Sequence, residues 1–226
     1  MPSFAKTAAS LACLVAAAMA TPVLKRGETH PVATTTVASP STSTTSTPSY
    51  STYPAACKNG TKGSLWQPSM YNVFPEDPDH SEPSVSYIDV RAEENGRPKD
   101  QVIVFRGIPA GAKSCAINWD QAAESERNFT VYDSGYVSLL QLDGFPYGVP
   151  VTWNSVAAFE PDGKNATHAD FTYWDKQSKD AFPHLIGPVD CGEEIYVRLA
   201  IDTLSGYGRV FMDQDKKNGF HIDYTC

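Results

Sequence analysis

Cysteine carries the most specific chemistry in this sequence, because a thiolate is a nucleophile, a metal ligand or half of a disulfide according to its surroundings. Cys13 falls in an apolar N-terminal run. The other four are Cys57, Cys115, Cys191 and Cys226, with gaps of 58, 76 and 35 positions. None of these gaps supplies the close pairs that build a structural zinc site. Cys226 is the last residue, so it lacks the three residues that prenylation requires, and no apolar tail of the GPI type follows a small-residue site. The expectation is four bridged cysteines, no lipid anchor and no metal.

Other reactive types give less. His30, His80, His168, His184 and His221 fall singly, with none of the close spacing of a metal-ligating pair. There is no G-x-S-x-G elbow, no H-E-x-x-H pair and no phosphate-cradling glycine loop. Acidic residues gather at Glu76–Asp79, Glu93-Glu94, Glu193-Glu194 and Asp213 with Asp215. Two carboxylates far apart in sequence are enough for a glycoside hydrolase, so that class stays open. Asp213 and Asp215 alone fall short of the roughly 6 to 8 oxygens that calcium takes, and a charged hairpin turn explains them. No cofactor is implied. Aromatic side chains offer a different chemistry, stacking on the apolar face of a sugar ring. Trp66, Trp153, Tyr173 and Trp174 are the candidates, with Tyr147 beside another turn. Packing in a core is the competing reading.

The N-terminus sets the compartment. Lys6, the apolar run Thr7–Ala20 and the small-x-small ending Ala18-Met19-Ala20 read as a secretory signal over residues 1–20. Lys25-Arg26 then offers a dibasic cleavage point. Cutting after Arg26 removes three of the 18 basic residues and none of the 26 acidic ones, taking the net charge from −8 to −11. That balance opposes a nucleic-acid or anionic-membrane partner. Residues 21–56 form a Ser/Thr/Pro-rich segment, and 14 of the 19 residues from Thr34 to Thr52 are Ser or Thr. With nothing to bury it is expected to stay extended as a linker, and in a secreted chain its composition suits O-glycosylation. The sequons at Asn59, Asn128 and Asn165 are candidate N-glycosylation sites.

What must position these residues is a single domain over 57–226. Its patterning is alternation of period two in short runs bounded by Gly, Pro, Asn and Asp. Ten strands are predicted, at 84–91, 101–108, 115–120, 128–133, 136–142, 151–159, 168–174, 193–201, 208–213 and 219–225. The fold class is therefore all-β, an antiparallel two-sheet β-sandwich of jelly-roll type. Alternation aims Cys226 inward with Phe220, Ile222 and Tyr224, aims Cys115 with Ile117 and Trp119, and aims Cys191 with Ile195 if the strand runs on through Gly192. Three connectivities are open for four cysteines. Domain termini tend to lie together at the surface, which favours Cys57 with Cys226 and Cys115 with Cys191.

The segment FRGIPAGAKSCAINW resembles the strand, Ile-Pro, short turn and Cys-bearing strand of the fungal But-two C-terminal domain family, whose founding members are described as binding Uba three. The likeness continues through VDCGEEIYVRLAIDTLSGYGRVFMDQDKKNGFHIDYTC and spans about Tyr87 to Cys226. The resemblance implies a C-terminal β-rich module of a secreted ascomycete protein, and no catalytic residue carries over with it. The family name points to a subunit of a ubiquitin-like activating enzyme, whereas the signal and sequons point to the cell exterior. Together these readings give a secreted, cell-wall-associated glycoprotein that is not an enzyme and binds a wall polysaccharide or an extracellular protein. A carbohydrate-active hydrolase and a binder of the activating enzyme are the alternatives.

Overall fold

Alternation of apolar and polar residues builds many of the strands in the computed structural model, which describes residues 56–226. The signal, the dibasic pair and the Ser/Thr-rich segment lie outside those residues, apart from Ala56. Twelve strands follow in order: β1 Lys62–Trp66, β2 Ser69–Val73, β3 Tyr87–Ala92, β4 Asp100–Arg106, β5 Ser114–Gln121, β6 Phe129–Asp133, β7 Tyr136–Leu142, β8 Thr167–Asp170, β9 Phe182–Val189, β10 Glu194–Ile201, β11 Gly208–Asp213 and β12 Gly219–Thr225. Two short helices, α1 Trp153–Ala157 and α2 Trp174–Gln177, flank β8.

The strands form an all-β sandwich from three antiparallel sheets, with orders β1-β12-β5-β9, β2-β4-β10-β7-β8 and β3-β11-β6. Their inner faces share one core. Ile195, Val197, Leu199 and Ile201 of β10 meet Ile117 and Trp119 of β5, Ile222 of β12 and Val210 of β11 there. The opposite face of the five-stranded sheet carries a second, smaller core of Val102, Val104, Leu142, Phe145 and Val156, covered by the segment 143–160. Burial of these side chains at roughly 25 cal/mol per Å² is the main force holding the layers together.

Between β3 and β4 a polar chain replaces apolar packing. Gln101, fully buried, accepts from the Asp89 backbone N–H at 2.9 Å and donates to Asn72 at 2.9 Å. Asp89 also takes Lys99 and Arg209, the latter at 2.7 Å. Burial works against the Asp89 carboxylate, but those two cations hold its pKa below the ordinary range.

Cys57 pairs with Cys226 and Cys115 with Cys191, with Cα atoms 5.1 and 5.4 Å apart, the pairing that terminal proximity favours. Backbone bonds reinforce the first bridge: the Gly60 N–H donates to the Cys226 carbonyl, and the Cys226 N–H to the Thr61 carbonyl, each at 2.9 Å. Cys115 is buried. Cys191 is partly buried against the core although β10 starts only at Glu194, beyond Gly192.

Two predicted strands are corrected. Residues 151–159 form a loop and α1, because Thr152 and Ser155 make a reciprocal capping box that starts a helix at Trp153. In 168–174 the strand ends at Asp170, and Tyr173 takes a left-handed backbone, φ 68°, before α2. Three strands were not predicted, and the two-sheet division becomes three sheets. Pro183, Gly187 and Pro188 break the pattern of β9, which is tolerable only because β9 is an edge strand. Edge strand β1 contains Gly63, where a Cβ would lie 2.3 Å from the Tyr224 hydroxyl.

Candidate functional site

The predicted stacking residues do not gather into one platform. Trp66 on β1 stacks on His221 at 4.1 Å. Trp153 begins α1 and lies against the second core, with the Arg198 guanidinium 4.9 Å from its ring centre. Trp174 packs against the main core with its ring centre 5.1 Å from that of Phe182. Tyr173 alone is freely exposed, at 65%. One of the adjacent pair is thus outside and the other packed, as alternation requires, although the local structure is a turn into a helix.

A different aromatic group forms on the outer face of the five-stranded sheet. The alternation that sends Ile195 and Val197 of β10 inward sends Glu194 and Tyr196 outward, and Tyr71 of β2 points the same way. Arg106 ends β4 directly opposite Glu194 in the register. The loop after β7 lays Phe145 and Tyr147 over this patch. Phe145 is the hub, with ring centres 5.3 Å from Tyr71, 5.2 Å from Tyr147 and 5.8 Å from Tyr196.

Polar contacts lock the group. The hydroxyls of Tyr147 and Tyr196 both donate to the Glu194 carboxylate. Arg106 donates through Nε to the Tyr147 hydroxyl at 3.2 Å and through NH1 to Ser69 at 3.1 Å. Its guanidinium carbon lies 5.4 Å from the Tyr147 ring centre, within reach of a cation–π attraction. Burial, then the bond to Glu194, pushes the Tyr196 phenol far above its usual range. Burial opposes the Arg106 charge, but the Tyr147 and Tyr71 phenols more than offset it and raise the guanidinium pKa. The Tyr196 phenol therefore stays neutral and the Arg106 guanidinium stays charged at any physiological pH.

The result is a depression of about 350 Å³ bordered by Tyr71, Glu82, Pro83, Arg106, Phe145 and Tyr147. Tyr147 is 55% exposed on its rim. A rigid, half-exposed ring beside fixed donors and acceptors can bind a flat molecule that has apolar faces and hydroxyl edges. Sequence reasoning flagged only Tyr147. Glu194 and Tyr196 were visible as the outward set of EEIYVRLAI, in which the second face is aromatic and charged rather than merely polar, whereas Tyr71, Arg106 and Phe145 come from other elements.

The remaining candidates sort as follows. Asn59, Asn128 and Asn165 are all exposed, on a turn before β1, at the entry to β6 and in the turn before β8. Asp213 accepts from the Asn128 backbone N–H at 3.1 Å, and Asp215 accepts from the N–H groups of Lys217 and Asn218. Both carboxylates are thus used in turns. Among the described residues no group of three or more His, Cys, Asp and Glu has metal-holding geometry. No helix among them is long and apolar enough to cross a membrane. A trio of acids and imidazole lies under Trp66, where His221 faces Asp120 through Nδ1 at 3.9 Å and Asp223 through Nε2 at 3.7 Å. Burial lowers the His221 pKa and raises that of Asp120. Comparison of the sequence with protein-family models finds no match, and a search of curated proteins returns none.

Proposed function

We propose that the protein is a secreted glycoprotein whose β-sandwich is a non-catalytic module that binds a neutral wall polysaccharide through the Tyr147 depression. The observation that carries this reading is the Tyr147 ring, half-exposed yet held by Arg106, Phe145 and Glu194. Ordering the ring before binding removes much of the entropy cost of stacking. Secretion is supported by the signal-like N-terminus, two cystines and three exposed sequons. The But-two resemblance agrees with a module that carries no chemistry of its own. An interaction with a ubiquitin-like activating enzyme would need a cytosolic pool.

The test is retention on insoluble chitin, β-glucan and mannan. Wild-type protein is expected to be held by at least one of them, and Tyr147→Ala to lose roughly tenfold in affinity, the scale of one aromatic stack. No retention on any of the three sinks the reading. The Asp120, His221 and Asp223 trio favours a second reading, glycoside hydrolysis. Release of reducing ends that Asp120→Asn and Asp223→Asn both abolish would establish it in place of the first.

A further inference from the structure

A second depression lies on the three-stranded sheet, at the end of β6 and the start of β11, with a volume of about 530 Å³. Tyr132 and Tyr207 line it, and they are 58% and 47% exposed. Both rings sit on ordered backbone: Tyr132 pairs with Arg209 across β6 and β11, and the Tyr207 carbonyl accepts from the Ser134 N–H at 3.0 Å. Its charge is unlike that of the Tyr147 site. Glu93, Glu94 and Asp133 border it against the single cation Arg209. That cation is already committed, since its Nε donates to Asp89 at 2.7 Å. The groove therefore joins two tyrosine rings to three carboxylates that outnumber its one cation, the combination that attracts an ammonium group by cation–π and Coulomb terms together.

We propose that this groove binds an amino-sugar polymer through its free ammonium groups, so that the module distinguishes deacetylated from acetylated regions of a glycan. The inference rests on the glycan-binding reading above and adds a second subsite of different charge. A saccharide suits the groove because it brings flat ring faces for Tyr132 and Tyr207 and one cation per residue for the carboxylates. The net negative charge, −8 for the whole sequence and −11 after cleavage at Arg26, draws such a polycation to the whole surface.

The test is calorimetric titration of the full secreted chain with a glucosamine tetramer and with the N-acetylglucosamine tetramer at pH 6. The amino tetramer is expected to bind, more weakly as salt rises, and the acetylated one not to bind in this groove. Asp133→Asn, which keeps a side chain suited to the left-handed backbone at that position (φ 55°), is expected to weaken binding about threefold to fivefold. The double variant Glu93→Gln/Glu94→Gln should weaken it about tenfold. Equal affinity for both tetramers that Asp133→Asn leaves unchanged overturns the proposal. So does tighter binding of tetralysine than of the amino tetramer, which would mark a site for basic peptides. Tyr147→Ala separates the two readings: it should weaken retention on neutral glycan roughly tenfold and leave the amino tetramer unaffected.

Discussion

The two faces of β10 share one backbone and have opposite jobs. Ile195, Val197, Leu199 and Ile201 point into the main core and are at most 5% exposed. Glu194, Tyr196 and Arg198 point the other way, the first two hydrogen-bonded with Tyr147 and Arg198 paired with Asp100 at 2.9 Å and Glu160 at 3.1 Å. The inner face meets two other sheets, whereas the outer one meets only a loop and one turn of helix. Stability therefore belongs to one parity of the strand and recognition to the other. A site built on an outward face can have charged groups without opening the main core.

The comparison breaks first if inner-face damage also removes binding. Leu199→Ala should cost about 2 to 5 kcal/mol in urea unfolding, the range for a fully buried leucine. Removing the Cys115–Cys191 bridge, which spans 76 residues, should cost a similar 2 to 5 kcal/mol. In both variants retention on glycan is expected to persist wherever the protein stays folded. Loss of retention in a folded Leu199→Ala protein would show that the two parities are coupled.

Acid sharpens the comparison, since the two regions respond to it with opposite sign. Burial raises Asp100 on the outer face from 3.8 to about 6, and the opposing pull of Arg198 only partly offsets it. The folded state then binds the proton more tightly than the unfolded one. Its contribution is complete below pH 4 and is lost as pH rises through about 6, an effect of about 3 kcal/mol. His184, stacked on Trp119 at 3.6 Å beside the main core, is pushed down from 6.5 to about 4 by burial. Its contribution is present above pH 6.5 and is lost as pH falls through about 4. Asp100→Asn should flatten the decline between pH 4 and 6, and His184→Phe should remove the acid-side loss. Both are read from urea midpoints across pH 3.5 to 7.5. The same slope in wild type and both variants would show that neither group governs acid stability.

Much of this division was legible in the sequence. EEIYVRLAI, GRVFMD and GFHIDYT alternate cleanly, and their strands lie where predicted to within one residue. The four cysteines paired as terminal proximity suggested. The site was harder to read, because alternation shows which residues point away from the core and says nothing about which loop covers them. Phe145 and Tyr147 sit in the proline- and glycine-rich stretch GFPYGVP, whose path depends on the sheet beneath it. VTWNSVAAF was misread because its apolar content suits a strand, while the reciprocal Thr152 and Ser155 cap decides the matter locally.

That cap supplies the smallest expected effect and the finest test of the comparison. The Thr152 hydroxyl accepts from the Ser155 N–H at 3.1 Å, and the Ser155 hydroxyl accepts from the Thr152 N–H at 2.9 Å while donating to the Pro150 carbonyl at 3.0 Å. The turn so fixed inserts Val156, 1% exposed, into the second core, and Pro150 and Val151 border the Tyr147 depression. Thr152→Ala should therefore cost about 1 kcal/mol, and the cost should be local. Amides from 153 to 159 are expected to exchange about fivefold faster, with those of Val197 and Leu199 unchanged. Glycan affinity should fall slightly, because the depression loses a fixed wall. Equal acceleration in β10 would mean that the cover and the sheet open as one unit, so that the outer face is as much a part of the fold's stability as the inner one.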